Sequence, residues 1–90
     1  MSSVEVEFEK KIGLEKDRVR EIILFNDDVN TFDYVIKTLM SICNHSLKQA
    51  EQCTFIVHYS GKCAVKSGSL NELKPICSKL LDAGLTAEIV

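Results

Sequence analysis

The stretch Ile22-Ile23-Leu24-Phe25-Asn26-Asp27-Asp28 carries the strongest structural signal in this chain of 90 residues. Its first four residues are aliphatic or aromatic, a composition typical of a buried strand, and the run stops abruptly at three polar residues. Asparagine and aspartate favour turns because their side chains accept hydrogen bonds from nearby backbone amides. The stretch therefore predicts a strand over residues 19–25 that ends in a polar turn.

Two amphipathic helices are predicted after this turn. Asn30 or Thr31 can cap the first one, and Gly61 supplies the stop signal of the second. Ser46 and Gln49 have the spacing of a capping box that opens the second helix. The apolar residues recur every three or four positions, as a packed helix face requires. The inner residues are Phe32, Val35, Ile36, Leu39, Ile42 and Cys43 in the first helix, and Leu47, Ala50, Cys53, Thr54 and Val57 in the second.

The last third of the chain predicts two further strands with a helix between them. Residues 63–66 form a short strand, residues 67–69 a turn, and residues 85–90 the final strand. Pro75 decides where the helix begins, because a proline deep inside a helix removes a backbone hydrogen bond and costs about 3 kcal/mol. Ser69 and Glu72 have the spacing of a capping box that could open a helix at residue 70, but Pro75 would then lie deep inside that helix. We therefore expect a short turn over residues 70–73 and a helix with Pro75 in its first turn.

The predicted order of elements, β-α-α-β-α-β, is that of an α+β two-layer sandwich with a three-stranded sheet on one side and three helices on the other. All of these elements fall within residues 19–90. Residues 1–18 are rich in charge and poor in apolar residues, so we expect an N-terminal arm that is mobile or partly extended.

The composition excludes several classes of protein. With 46% hydrophobic and 27% charged residues, the chain is too apolar to be disordered and long enough for one core. The longest apolar run is Ile22 to Phe25, and the N-terminus lacks a basic flank and an apolar stretch, so we expect a cytoplasmic protein without a membrane partner. The net charge of −2, with scattered basic residues, argues against a nucleic-acid partner.

The four cysteines do not predict a metal site. Cys43, Cys53, Cys63 and Cys77 lie too far apart in the sequence to supply the close pair that zinc sites usually contain. Disulfides are not expected in a reducing compartment, so we interpret these residues as small core residues or inert thiols. A nucleophile pair of Cys53 with His58 has no evident orienting partner. We therefore predict no metal, no cofactor and no catalytic residue.

Two polar features could form a binding site. One is the Asn26-Asp27-Asp28 turn, and the other is His58 near the end of the second helix; each alone is also typical of a purely structural turn or helix end. If the second helix packs back along the first, His58 returns to the side of Asn26 and Asp28. These acceptor groups would then lie beside apolar residues, an arrangement that suits an ammonium group attached to a hydrophobic side chain. The apolar residues are Phe32, Val35, Thr54 and Val57.

Together, the Asn-Asp-Asp stretch and the stretch Val57-His58-Tyr59-Ser60-Gly61-Lys62 resemble the ClpS family over residues 19–90. This family consists of bacterial adaptors that deliver N-end-rule substrates to the ClpA unfoldase of the ClpAP protease. The resemblance implies an antiparallel three-stranded sheet, and partners that are a Clp unfoldase and substrate proteins with hydrophobic N-terminal residues. We also expect the protein to be a monomer.

The resemblance also implies roles for individual residues. The free α-amine of a substrate would be held by Asn26, His58 and Asp28, with Asp27 as a further candidate, and Asn30 would contact the peptide backbone. The first side chain of the substrate would enter a hydrophobic pocket. The walls of that pocket would be Phe32, Val35, Thr54, Val57 and Leu85.

The sequence departs from the ClpS pattern in three places, which makes it a diverged member. Asn30-Thr31-Phe32 stands where many members have Thr-Pro-Met, and Thr54 replaces a usual methionine. The segment between Lys66 and Leu85 is several residues shorter than usual, and we expect it to lack the acidic, lysine-containing helix start that docks on ClpA. An alternative function is therefore an interaction domain that keeps the ClpS fold but has lost recognition of N-terminal residues.

Overall fold

The computed structural model describes residues 18–90. The expected N-terminal arm therefore lies outside the described residues, apart from Arg18. The described elements follow the predicted order β-α-α-β-α-β. They are β1 (Arg20–Phe25), α1 (Phe32–Ile42), α2 (Leu47–Ser60), β2 (Lys62–Gly68), α3 (Leu70–Asp82) and β3 (Thr86–Ile89).

The three strands form one antiparallel sheet with β1 at its centre and β2 and β3 at its edges. The ladder between β1 and β2 contains a bulge, because Ile22 pairs with Lys66 while Ile23 pairs with Ala64. Val65 is the extra residue of the bulge, and it is buried. The predicted α+β sandwich with an antiparallel sheet is thus confirmed.

The core lies between the sheet and the helices. Ile22 and Leu24 alternate with less buried neighbours on β1, as expected for a strand that buries one face. Leu39 of α1 and Leu73 and Leu80 of α3 are fully buried against this face. Burying each of these side chains contributes on the order of 1.5–3 kcal/mol, so this small cluster supplies much of the folding free energy.

The predicted ends of α1 and α2 are confirmed. The Thr31 side chain caps α1 by accepting a hydrogen bond from the amide of Tyr34, and the Ser46 side chain caps α2 in the same way. Gly61 ends α2 in the left-handed region with φ of 91°, a conformation that glycine adopts without steric cost. Leu47, predicted to lie on the inner face of α2, is instead 55% exposed, because the buried side of the helix begins one turn later at Ala50.

The predicted start of α3 is wrong. The helix begins at Leu70, after a capping box between Ser69 and Glu72, and Pro75 lies inside it. Pro75 is exposed, so the carbonyl left without a donor lies on the solvent side of the helix, where water can satisfy it. The capping box and the burial of the apolar face offset the lost bond. This helix start contains Glu72 and Lys74, so the expectation that it lacks acidic and lysine residues is also wrong.

Side-chain hydrogen bonds fix the two turns that border the helices. Asn30 donates to the carbonyl of Gly84 at 2.9 Å, and the Tyr34 hydroxyl donates to that of Ala83 at 2.5 Å, which ties the start of α1 to the turn between α3 and β3. On the other side of the molecule, the buried His45 ring donates through Nε2 to the carbonyl of Val65 at 2.6 Å.

None of the helices within residues 18–90 is long and apolar enough to cross a membrane.

Candidate functional site

A cavity of about 310 Å³ lies between the loop after β1 and the C-terminal half of α2. All ten residues that the sequence predicted for the site line this cavity. They are Asn26, Asp27, Asp28, Asn30, Phe32, Val35, Thr54, Val57, His58 and Leu85. The structure thus brings the polar turn and the histidine together across one cleft.

The backbone places Asn26 beside the end of α2. The ladder between β1 and β2 ends at the pair of Phe25 with Lys62, and the amide of Asn26 extends it by donating to the carbonyl of Gly61 at 2.9 Å. Gly61 in turn donates to the carbonyl of Val57, which closes the last turn of α2. His58 lies in that turn. Two residues more than 30 positions apart in the sequence are thereby held at one cleft.

Asp27 holds the loop together. Its Oδ1 accepts hydrogen bonds from the amides of Val29 at 2.9 Å and Asn30 at 2.8 Å, and its Oδ2 accepts one from the Asn30 side chain at 2.9 Å. Partial burial raises the pKa of Asp27, but these hydrogen bonds outweigh it and leave the pKa below its ordinary value. Both carboxylate oxygens are therefore engaged within the loop, and Asp27 acts on the cleft by positioning its neighbours.

Asn30 is engaged in the same way. Its side-chain amide donates to Asp27 and also to the carbonyl of Gly84, which uses both of its hydrogens. The amide oxygen remains for contact with a ligand. Asn30 therefore couples the loop after β1 to the turn that precedes β3, the turn in which Leu85 lies.

The remaining three polar side chains are open. Asn26, Asp28 and His58 are exposed, and their side chains form no hydrogen bond to other residues within the described range of 18–90. An amide oxygen, a carboxylate and an imidazole thus face a shared cavity with their acceptor capacity unused. This combination favours a ligand that donates several hydrogen bonds and carries a positive charge.

The floor of the cavity is apolar. Val57 and Leu85 are 5% and 4% exposed, and Thr54 is 3% exposed. The hydroxyl of Thr54 donates to the carbonyl of Ala50 at 2.7 Å, so this residue adds no unpaired polar group to the wall. An apolar side chain can therefore enter the cavity without leaving a buried donor or acceptor unsatisfied.

Phe32 lies at the mouth of the cavity. It is 42% exposed, and its ring contacts the ring of His58 edge to face, with 5.0 Å between the centroids and an interplanar angle of 78°. The contact constrains the imidazole from one side. An aromatic residue at this position therefore orients one of the three open polar groups.

Three residues that line the cavity were not predicted. Leu24 and Phe25 belong to β1, and Thr31 is the cap of α1. Their positions next to the polar turn were the available signal, since a cavity formed by a turn also includes the residues that flank it.

Within residues 18–90 no group of three or more His, Cys, Asp or Glu side chains could hold a metal ion.

A family model matches most of the chain. The family described as "ATP-dependent Clp protease adaptor protein ClpS" matches residues 15–88. A Thermosynechococcus vestitus protein named ATP-dependent Clp protease adapter protein ClpS is 39% identical over 67 residues, which is 73% of this chain and 71% of that protein. A Campylobacter jejuni protein of the same name is 40% identical over 48 residues, which is 53% of this chain. The match spans half the length of the Campylobacter relative.

The fold has a counterpart among solved structures. The structure of Agrobacterium tumefaciens ClpS2 bound to L-phenylalaninamide matches with a TM-score of 0.77 at 16% sequence identity. The match covers 83% of this chain and 96% of that one. At this level of identity the likeness shows that the two chains share a fold.

Proposed function

The chain belongs to the ClpS family of ATP-dependent Clp protease adaptors, and from this premise we propose that its cleft binds substrate proteins by their N-termini. The free α-amine of the substrate contacts Asn26, Asp28 and His58. The large hydrophobic first side chain enters the cavity, and the adaptor delivers the bound protein to a Clp unfoldase of the ClpA type. The observation that carries the proposal is the single cavity shared by three open polar side chains and an apolar floor.

The polar groups suit an α-amine. An α-amine has a pKa of about 7.7–8.0, so it is mostly an ammonium group at neutral pH and can donate three hydrogen bonds. The amide oxygen of Asn26, the carboxylate of Asp28 and the imidazole of His58 supply three acceptors and one negative charge. An acetylated N-terminus or an internal peptide bond offers neither the charge nor the donors, so the cleft discriminates against both.

The apolar part suits one large side chain. A volume of about 310 Å³ accommodates a leucine, phenylalanine, tyrosine or tryptophan side chain together with the amine. Phe32 lies at the mouth, where a β-branched first residue would bring its stiff Cβ against the wall. The ligand in the ClpS2 structure, L-phenylalaninamide, joins a free amine to an aromatic side chain, and the same chemistry supports this ligand class here.

Membership of the ClpS family supports delivery of the bound substrate to a Clp unfoldase. A small domain whose cleft can hold one amine and one side chain is suited to holding a substrate while a larger partner unfolds it. The second candidate function is a ClpS-fold interaction domain without N-terminal recognition, which the substitutions at Phe32 and Thr54 favour.

Peptide binding separates these two functions. Fluorescence anisotropy would be measured with labelled peptides that begin with Phe or Leu, with their N-acetylated forms, and with a peptide that begins with Val. Binding to the free Phe and Leu peptides alone supports the N-terminal adaptor. Equal binding to free and acetylated peptides, or none to either, would favour the second candidate.

A further inference from the structure

Four rings form a continuous line from the mouth of the cleft along α2. Phe32 contacts His58 with 5.0 Å between centroids, His58 contacts Tyr59 at 4.9 Å, and Tyr59 contacts Phe55 at 4.4 Å. The first two rings line the cavity, whereas the last two lie beyond it. We call Tyr59 and Phe55 the outer aromatic pair.

The outer aromatic pair is exposed. Tyr59 is 69% exposed and Phe55 is 56% exposed, although each covers part of the other as an i, i+4 pair on one helix. Neither residue belongs to the buried core of residues 18–90. The two rings are tilted by 40° to each other and leave apolar surface open to solvent, and aromatic residues are enriched at interfaces relative to the rest of a protein surface.

The position of the pair indicates what covers it. Among the exposed residues that line the cleft, His58 is the one whose ring also contacts the outer aromatic pair. An extended chain advances about 3.3 Å per residue, so a substrate that leaves the cleft past His58 can place its second and third residues on these rings. The outer aromatic pair is therefore continuous with the cleft on the side of α2.

The charge of this helix segment limits which residues can bind there. From Gln52 to Ser60, α2 contains no Asp, Glu, Lys or Arg. A charged side chain placed over this segment gains no ion pair from it, whereas an aromatic or aliphatic side chain gains stacking and apolar burial.

We propose that Tyr59 and Phe55 form a second subsite, which binds the side chains of the second and third residues of the substrate and favours aromatic or aliphatic residues there. This proposal rests on the proposed function of the cleft. It divides the recognition of a substrate between a cleft that reads the N-terminal residue and an exposed surface that reads the residues following it.

The test uses peptides that share the first residue and differ afterwards. Anisotropy would be measured for peptides beginning Phe-Gly-Gly, Phe-Tyr-Phe and Phe-Glu-Glu, with the wild type and with Phe55→Ser and Tyr59→Ser. We expect the wild type to bind Phe-Tyr-Phe about threefold to tenfold more tightly than Phe-Gly-Gly. Each variant should lose this preference while its affinity for Phe-Gly-Gly stays within about twofold.

The matched control is Ile56→Ser, since Ile56 is a 44% exposed apolar residue of the same helix outside the line of rings. This variant should keep the preference for Phe-Tyr-Phe over Phe-Gly-Gly. Thermal unfolding of Phe55→Ser, Tyr59→Ser and Ile56→Ser shows whether each variant is folded. If the wild type binds the three peptides equally, or if the preference survives Phe55→Ser and Tyr59→Ser, the subsite is overturned. If Phe-Gly-Gly itself does not bind, the proposed function of the cleft fails, and the subsite fails with it.

A second copy of the chain is the other occupant that the experiment can identify. Size-exclusion chromatography of the wild type and of Phe55→Ser would show it. A dimer that becomes a monomer on substitution, together with no peptide preference, would assign the outer aromatic pair to self-association and overturn the subsite.

Discussion

The backbone amide of Asn26 donates to the carbonyl of Gly61 at 2.9 Å, and this one hydrogen bond joins the end of β1 to the end of α2. The turn after β1 and the last turn of α2 thereby border one cavity. The open polar groups of the cleft are supplied by these two chain segments, so the candidate site depends on the antiparallel pairing of β1 with β2.

The side chains of Asn26 and His58 should contribute directly to binding. Replacing either with alanine removes one acceptor from the ammonium group, which should weaken the binding of a Phe-initiated peptide by about 1–3 kcal/mol. Anisotropy titration measures the loss. The matched control is Asn71→Ala, an exposed residue of α3 that does not line the cavity, and the affinity of this variant should equal that of the wild type. An unchanged affinity in both cleft variants would contradict the assignment.

Asp27 and Asp28 should behave differently although they are adjacent. Asp27→Ala removes three hydrogen bonds within the loop, so it should lower both the free energy of unfolding, by about 1–2 kcal/mol, and the affinity for the peptide. Asp28→Ala should lower the affinity alone. Urea denaturation and anisotropy would be measured on the same samples, and equal stability losses in the two variants would show that Asp27 has no special role in the loop.

The stability contributed by Asp27 should disappear in acid. The pKa of Asp27 in the folded protein lies below its ordinary value of 3.8, because the hydrogen bonds from Asn30 and Val29 favour the ionised carboxylate. Its contribution is therefore present above pH 3.8 and is lost as the pH falls through the folded pKa. The difference in unfolding free energy between the wild type and Asp27→Asn should shrink from about pH 6 to about pH 2.5. A constant difference would contradict the pKa direction.

Two cysteine thiols should resist alkylation in the folded protein. Burial raises the pKa of Cys43 to about 11, and burial together with the neighbouring Cys63 thiol raises the pKa of Cys53 to about 12. The thiolate is the reactive form, so at about pH 8 both thiols should react with iodoacetamide at least about a hundredfold more slowly than in urea-unfolded protein. Peptide mass spectrometry measures each site separately. Similar rates in the two states would show that these thiols are not protected.

The elements with local signals could be predicted from the sequence. The cap residues Thr31 and Ser46 and the helix stop at Gly61 act through neighbours three or four positions away, so the sequence contains both partners of each interaction. The start of α3 could not be predicted, because the spacing of Ser69 and Glu72 favours a helix from residue 70 while Pro75 argues against one, and the sequence does not show which effect is larger. A favourable helix start outweighed one missing hydrogen bond on an exposed face.

The members of the cleft could also be predicted, since the motifs that supply them are local and the packing of α2 along α1 follows from their apolar faces. The different roles of the residues in the cleft could not be predicted from the sequence. Asn30 binds Gly84, 54 positions further along the chain, and only the folded structure shows that this contact leaves Asn30 with one free oxygen. In the same way, the exposure of Phe55 and Tyr59 depends on which elements pack against α2 and on which side.

Recognition of a free amine is the central claim, and the most direct measurement compares two ligands that differ only in an acetyl group. L-phenylalaninamide and N-acetyl-L-phenylalaninamide would each be titrated into uniformly labelled protein and followed by two-dimensional amide NMR. We predict saturable shifts at Asn26, Asp28 and His58 with the free amine, and none with the acetylated form. Equal shifts with both ligands, or shifts that leave the cleft unaffected, would contradict the account.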